Sequence, residues 1–282
     1  VSLGAVVVPL NTMLTPREIA FILKDSRVKH IITDKKLDLA GQYQEGQLPP
    51  EQLLTSRIGQ EVNKATYPAA PEISVRETDP CVILYTSGTT GRPKGALLTH
   101  RNLVRNARSF SAVTGACADD NFLCVLPMFH SFGWTCCVLT ALYNGASLTI
   151  LESFQPKEVI STIRDQGVTV VMGVPAMYGF YASLATPADL AGVRLFASGG
   201  ASLPLEILNS FYEKTGKRVI EGYGLSEASP VVCFNPMHAT KPGSVGLAVP
   251  DVEAKVVKDD GSEAGCREVG ELSIRGPNVM LG

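Results

Sequence analysis

The sequence predicts a layered α/β fold with mostly parallel sheets and a small β-rich, barrel-like part at its end. Short apolar runs alternate with helix-like segments along residues 5–220, which is the pattern of strands joined by crossover helices. Glycine-bearing stretches directly follow several of these runs, at the strand ends where α/β folds bind ligands. After about residue 239, short strand candidates separated by Gly, Pro and Asp turns replace the alternation.

The first part of the chain opens with a valine-rich run over residues 5–10, which predicts a strand buried on both faces. Thr15, Pro16 and Glu18 supply a cap residue, a proline at the first helical position and an acidic third position. A helix is therefore predicted to about Asp25. Residues 41–79 predict a mostly exposed connection with one short helix. Further strands are predicted over residues 30–33, 81–85 and 96–99, and a helix over 102–114.

The second part of the chain continues the alternation. Lys214 in the last turn and Gly216 just beyond it predict where the helix after Pro204 ends. Strands are predicted over residues 122–126, 147–151, 168–172, 194–197 and 218–220, and helices over 132–143, 156–166 and 175–184. The β-rich end has strand candidates at 244–249, 253–257 and 271–274. We expect three subdomains: an α/β part over 1–115, a second over 116–238 and the start of a β-rich part over 239–282.

Composition narrows the class of protein. The chain has 282 residues, 45% of them hydrophobic and 18% charged, which indicates a globular protein with a large core. A formal net charge of -2 gives no electrostatic footprint for nucleic acid. Because no apolar run nears the length of a membrane span and no signal peptide opens the chain, we expect a soluble, cytoplasmic protein. Peripheral membrane contact and the oligomeric state are left open. Seven cysteines without a CxxC pair predict buried thiols in a reducing compartment.

The densest polar stretch is TSGTTGRPKG, residues 86–95, which holds three glycines, four hydroxyl side chains and two cations. Glycines let backbone N–H groups turn toward an anion, and hydroxyls and Lys94 add donors beside a phosphate. A Walker loop needs glycine before the lysine and opens a helix, whereas here Pro93 precedes Lys94 and a strand follows. The stretch predicts a different phosphate-binding loop; the alternative is an ordinary surface turn.

Three further stretches could carry chemistry. EGYGLSE, residues 221–227, follows a predicted strand; its Tyr223 ring could stack on a base and the Glu227 carboxylate could hold Mg²⁺. The alternative is a glycine-bearing turn with a core tyrosine. SGGA, residues 198–201, allows close backbone approach to a flat ligand, although Gly-Gly ends many strands. His130 lies between aromatic residues at a strand-to-helix junction, where a structural histidine is the alternative.

Taken together, these motifs resemble those of the adenylate-forming enzymes, which include acyl-CoA synthetases, firefly luciferases and peptide-synthetase adenylation domains. Residues 85–95, YTSGTTGRPKG, are similar to the phosphate loop of that family, and residues 223–227, YGLSE, to a second signature. Residues 198–201, 129–130 and 243–246 add three more in the family's order. The resemblance covers essentially the whole chain and implies the fold of the N-terminal domain of an acyl-CoA synthetase.

The resemblance implies a role for each matching position. It assigns the phosphates of ATP to loop residues Thr86, Ser87, Gly88, Thr89, Thr90, Gly91 and Lys94. It assigns the adenosine part to Gly199, Gly200, Ala201, Glu221, Gly222, Tyr223 and Gly224. Ser226 would contact the α-phosphate, Glu227 would coordinate Mg²⁺ with Thr86 near the metal, and His130 would stand near the acyl group and the path of the thiol. His130, Lys94 and Ser226 are thus the predicted catalytic residues.

The reaction implied by the resemblance is attack of a carboxylate on the α-phosphorus of MgATP, release of pyrophosphate and transfer of the acyl group to the thiol of CoA. Amino-acid-activating relatives carry an aspartate where this chain has His130, so an uncharged acid is expected. Apolar residues favour a medium- or long-chain fatty acid: Met128, Phe132, Trp134, Gly173, Val174, Val231 and Val232. An aryl acid and a non-catalytic nucleotide-binding module remain alternatives. A serine hydrolase is disfavoured because residues 224–228, GLSEA, lack the final glycine of its nucleophile motif.

In the family the chain continues into a ribose-binding aspartate, a hinge and a mobile C-terminal domain that carries a lysine. These features have no counterpart before Gly282, and an N-terminal portion also lacks a counterpart. The resemblance therefore predicts a truncated, largely inactive piece of an active enzyme.

Overall fold

The computed structural model describes residues 3–39, 41–43, 49–56, 72–86 and 92–282. The chain divides into two compact units, Val1–Leu97 and Leu98–Gly282. Both helices and strands are present, and the largest sheet is mostly parallel. The predicted fold class is confirmed, whereas the division at residues 115 and 238 stays a prediction.

The first unit begins with a helix whose start was predicted correctly. In the helix Pro16–Asp25, the Thr15 hydroxyl accepts the Glu18 N–H and the Glu18 carboxylate accepts the Thr15 N–H at 2.8 Å, a reciprocal cap. The predicted strand over residues 5–10 is wrong: Val7 forms a single bridge to Val82. Among the described residues, no partner strand pairs with this run along its length, and Val7 stays exposed at the surface.

Four of the described strands belong wholly or largely to this unit. Strand β1, His30–Thr33, pairs in parallel with β2, Glu51–Leu54. Strand β2 was not predicted, because the sequence around it indicates an exposed connection. Strands β3, Pro80–Thr86, and β4, Lys94–Thr99, lie where strands were predicted, and they pair with each other. The Tyr85 hydroxyl donates to the Asp25 carboxylate at 2.6 Å and ties β3 to the first helix.

The second unit is built on a seven-stranded sheet. Its parallel strands are β5 Asn121–Cys124, β6 Ser147–Ile150, β7 Val170–Gly173, β8 Leu195–Ser198 and β9 Val219–Gly224. Two antiparallel strands, β10 Val231–Phe234 and β11 Leu247–Ala248, extend it beside β9. The order is β11-β10-β9-β8-β7-β5-β6. Strands β7 and β8 are buried along their whole length, as the central strands of a covered sheet should be.

Helices cover this sheet close to the predicted positions. They span His100–Thr114, Thr140–Asn144, Pro156–Asp165, Pro175–Leu184 and Leu205–Thr215. Gly145 and Gly216 end two of them in the left-handed conformation. The apolar helix predicted over residues 132–143 is a π-helix at Phe132–Leu139 before it becomes α-helical, and π-helical turns occur frequently at functional sites. No helix in the described ranges is long and apolar enough to cross a membrane.

Two differences from the prediction bear on the ligand site. Strand β9 runs through Gly224, so residues 221–224 belong to the strand, whereas the sequence placed them in the turn after it. Strand β10 was not predicted, and the strand expected at 244–249 shrinks to Leu247–Ala248. The strands predicted at 253–257 and 271–274 are confirmed as β12, Glu253–Val257, and β13, Glu271–Arg275, and they pair antiparallel.

A partly buried ion pair joins the segments that lead into β5 and β8 in the second unit. Asp120, only 3% exposed, accepts hydrogen bonds from Arg194 Nε at 2.7 Å and Thr169 Oγ1 at 2.7 Å. Arg194 also donates to the main-chain oxygens of Thr114 and Gly115, which end the helix before β5. Burial would raise the pKa of Asp120, but these hydrogen bonds outweigh it and lower that pKa to about 2.

Candidate active site

A pocket opens at the ends of β8 and β9 in the second unit, with about 500 Å³ of empty space including its open mouth. Three kinds of group line it: aromatic rings, hydroxyls and glycine backbone. They are Phe110, Phe132 and Phe234; Ser131, Ser198 and Ser226; and Gly199, Gly200, Gly222 and Gly224, together with His130 and Tyr223. The pocket thus brings together seven of the predicted site residues from three separate motifs.

Glycine is required at two of these positions by the neighbouring strand. A Cβ on Gly222 would stand 2.7 Å from the Phe234 ring, and one on Gly224 would overlap the main-chain oxygen of Pro230. Both clashes arise because β10 packs against β9 here. The wall of the pocket is therefore bare backbone, which a flat ligand can approach closely. Tyr223, between them, is 39% exposed and leaves its ring accessible to such a ligand.

The hydroxyls give the pocket its polar character. Ser198 is 2% exposed and its Oγ has no hydrogen-bond partner among the described residues. A buried hydroxyl is normally paired, so an orphan that lines a pocket points to a ligand or water as its partner. Ser131 Oγ and Ser226 Oγ lie 3.2 Å apart and share a hydrogen bond. Sequence reasoning did not select Ser131, although its place directly after His130 was a usable signal.

Glu221 supports the pocket without lining it. Its buried carboxylate accepts the Leu203 N–H at 2.9 Å. Its main-chain oxygen accepts both the N–H of Asn235 at 3.1 Å and the Asn235 side-chain amide at 2.9 Å. These bonds tie the end of β9 to the loop after β8 and to the segment after β10. Asn235, fully buried at this junction, was not singled out from the sequence.

The other predicted residues lie away from the pocket lining. Ala201 is exposed, and Glu227 is half-buried in the 3-10 turn Ser226–Ala228 that follows the pocket wall. Thr86 is half-buried at the end of β3, and Lys94 is exposed at the start of β4 in the first unit. The remaining loop residues, Ser87, Gly88, Thr89, Thr90 and Gly91, lie outside the described residues.

Glu227 is the candidate protein ligand for a metal ion at this site. Within the described part of the chain, no group of three or more His, Cys, Asp or Glu side chains could hold one. Mg²⁺ commonly binds through one or two carboxylates together with phosphate oxygens of a substrate. Glu227, next to the Ser226 hydroxyl, fits that arrangement.

The apolar residues expected to bind the substrate acid do not all line this pocket. Phe132 and Val231 line the pocket. Val232 is fully buried in another cluster with Ala228 and Cys233 and does not line this pocket. Gly173 faces the Tyr178 ring, which a Cβ would meet at 3.3 Å.

Comparison with known proteins identifies the family. The profile described as AMP-binding enzyme matches residues 1–282. A feruloyl-CoA synthase from Amycolatopsis sp. is 33% identical over 99% of this chain and 56% of its own length. A long-chain-fatty-acid–CoA ligase from Bacillus subtilis is 36% identical over 73% of this chain and 38% of its own length. The ATP-bound crystal structure of MatB from Rhodopseudomonas palustris matches with a TM-score of 0.87 and 30% identity, over 98% of this chain and 56% of that one.

The fold is a mixed α/β domain with a pocket at the ends of its central strands, and the chain belongs to the family of AMP-binding, adenylate-forming enzymes. Its similarity to CoA ligases extends along the whole sequence. The chain spans about half the length of the curated relatives it matches.

Proposed function

We propose that this chain is part of an ATP-dependent acid–CoA ligase. The observation that carries the proposal is the composition of the pocket. Bare glycine backbone and an accessible tyrosine ring meet there with the Ser198 hydroxyl, which has no hydrogen-bond partner among the described residues, and with the hydrogen-bonded hydroxyls of Ser131 and Ser226. Its glycines and Tyr223 suit an adenine ring, and its hydroxyls suit the oxygens of an α-phosphate. Membership of the AMP-binding family supports this choice of ligand.

In the proposed first step, a carboxylate oxygen of the substrate attacks the α-phosphorus of ATP. A new O–P bond forms while the bond from the α-phosphorus to the bridging oxygen of pyrophosphate breaks. Negative charge grows on the phosphate oxygens, so hydroxyl and cationic donors stabilise that state more than the ground state. Ser226 would donate to the α-phosphate, and Lys94 with the 87–91 loop would hold the departing phosphates.

Mg²⁺, when bound, would offset the charge of the phosphates, with Glu227 as its protein ligand and Thr86 nearby. In the second step the CoA thiol releases its proton to solvent and its sulfur forms a C–S bond to the acyl carbon. The bond from that carbon to the bridging oxygen breaks, so AMP leaves with the bridging oxygen and the carbonyl oxygen stays in the thioester. His130, exposed at the pocket mouth, would stand beside the acyl group and the incoming thiol. A cytoplasmic location stays a prediction.

For the acid, we infer a medium- or long-chain fatty acid. Phe132 and Val231 give the pocket an apolar part beside its hydroxyls and glycine backbone, and the Bacillus subtilis relative is named for a long-chain fatty acid. An aryl acid is the second candidate, favoured by the three phenylalanine rings in the pocket and by the feruloyl-CoA synthase relative.

The test is acid-dependent exchange of labelled pyrophosphate into ATP, with dodecanoate, hexadecanoate and ferulate as acids. It is run on this chain and on a longer form that covers the length of the relatives. Exchange that depends on a fatty acid supports the proposal, and exchange with ferulate alone replaces the substrate class. Measurable ATP binding without exchange for any carboxylic acid would reject the ligase in favour of a nucleotide-binding module.

A further inference from the structure

We propose that Ser131 is a positioning residue that orients the Ser226 hydroxyl toward an anionic ligand. This inference rests on the proposed function in one respect, that an α-phosphate occupies the pocket. The carrying observation is the contact of 3.2 Å between the two hydroxyls, which come from segments 95 residues apart.

The hydroxyl of Ser131 is available for this contact because the local backbone does not use it. Ser131 precedes the π-helix with helical dihedrals (φ -53°, ψ -35°) and makes no side-chain capping bond to that helix. It is 3% exposed, so its hydroxyl is largely withdrawn from bulk solvent. A buried hydroxyl needs a partner, and the structure gives it Ser226.

The backbone around Ser131 is held on both sides. The His130 N–H donates to the Pro127 main-chain oxygen at 3.0 Å, and the Trp134 N–H donates to the His130 main-chain oxygen at 3.0 Å. A Cβ on Gly133 would stand 2.7 Å from the same Pro127 oxygen. The turn therefore packs closely against the segment after β5, and Ser131 Oγ has a fixed position from which to meet Ser226.

The polarity of the shared hydrogen bond decides what Ser226 can do. A hydroxyl has one proton to donate and two lone pairs to accept with. If Ser226 donates to Ser131, it has no proton left for a phosphate. If Ser131 donates to Ser226, the Ser226 proton points outward, and the chain of two hydroxyls strengthens the second bond. An anion in the pocket selects this second arrangement, because a negatively charged oxygen accepts more strongly than a hydroxyl.

Ser131 thus acts through Ser226 and does not touch the phosphate. Removing it should leave Ser226 free to rotate and to donate to water. The loss should appear for ligands that carry an α-phosphate and vanish for ligands that lack one. A purely structural role would weaken both kinds of ligand alike.

The experiment measures binding of AMP and of adenosine to this chain by isothermal titration calorimetry. We expect Ser131→Ala to weaken AMP binding about three- to tenfold, the range of one net hydrogen bond, and to leave adenosine binding unchanged. Ser131→Thr keeps the hydroxyl and should bind AMP more tightly than Ser131→Ala. The matched control is Ser183→Ala, an exposed helical serine whose hydroxyl donates to Phe180 within the same helix.

A double-mutant cycle guards against misfolding of one variant. If Ser131 works through Ser226, the variant with both Ser131→Ala and Ser226→Ala should bind AMP as weakly as Ser226→Ala alone. Independent, additive losses would overturn the proposal, as would an equal loss of adenosine binding or no AMP binding by the wild-type chain. If the double-mutant cycle for AMP binding gives the expected result but no pyrophosphate exchange is found, the ligase function is rejected and the positioning role of Ser131 stands.

Discussion

Replacing Asp120 with asparagine tests the partly buried ion pair between Asp120 and Arg194. The carboxylate accepts from Arg194, from Thr169 and from the Cys117 N–H, and Arg194 in turn holds the end of the helix His100–Thr114. The amide side chain would keep the shape but lose the charge, so the Arg194 guanidinium would remain partly buried without its counter-charge. We expect Asp120→Asn to lower the free energy of unfolding at pH 7.

The size and pH dependence follow from the pKa of Asp120. A fall from 3.8 in the unfolded chain to about 2 in the folded one corresponds to roughly 2 kcal/mol at 1.36 kcal/mol per pKa unit. Because the folded-state pKa is the lower one, this stability is fully present above about pH 4 and is lost as the pH falls toward 2. At pH 3 about half of it should remain.

Urea unfolding of the wild type and Asp120→Asn between pH 7 and pH 3 measures this directly. The difference should be roughly 2 kcal/mol at pH 7 and should narrow below pH 4. The control is Asp165→Asn, whose carboxylate pairs with Arg164 at the exposed surface and should contribute little. A difference between wild type and Asp120→Asn that stays constant with pH, or an equal loss for Asp165→Asn, would contradict the assignment.

Two further changes test the pocket. Gly222→Ala should lower stability by about 1–3 kcal/mol in urea unfolding, because the new methyl group overpacks against Phe234, whereas Gly179→Ala, in open space on a helix, should not destabilise. Equal effects at both glycines would mean that the strand tolerates a methyl group. Glu227→Ala should raise the Mg²⁺ concentration needed for half-maximal pyrophosphate exchange in the longer form, with Glu206→Ala, on the exposed first turn of a helix, as the control. An unchanged Mg²⁺ requirement would remove Glu227 from the metal site.

Local signals in the sequence were sufficient for most helices. Thr15 and Glu18 form the cap that their spacing predicts, and Gly216 ends its helix in the predicted left-handed conformation. Such interactions involve residues three or four positions apart, so the sequence contains all the information. The prediction of a strand over residues 5–10 was wrong because β-branched residues indicate only a tendency toward extended backbone. A strand also needs a partner strand to pair with.

In the candidate site, too, features set by local sequence could be predicted and features set by distant contacts could not. The glycines and Tyr223 could be selected from their motif, because close approach of a ligand requires those residue types locally. Strand β10 and its effect on Gly222 could not be predicted from the sequence. The clash with Phe234 depends on an antiparallel pairing that a short motif does not reveal. The Ser131–Ser226 contact joins two motifs that were each recognised, yet only the folded chain brings their hydroxyls together.

Strand β9 has a parallel neighbour on one side and an antiparallel neighbour on the other, and its last three residues also line the pocket. The ligand wall is therefore made from the same amides that hold the sheet. Amide protons of this segment should exchange with solvent only as fast as the sheet opens. A ligand that binds there meets a surface already ordered by folding, so little conformational entropy is lost on association.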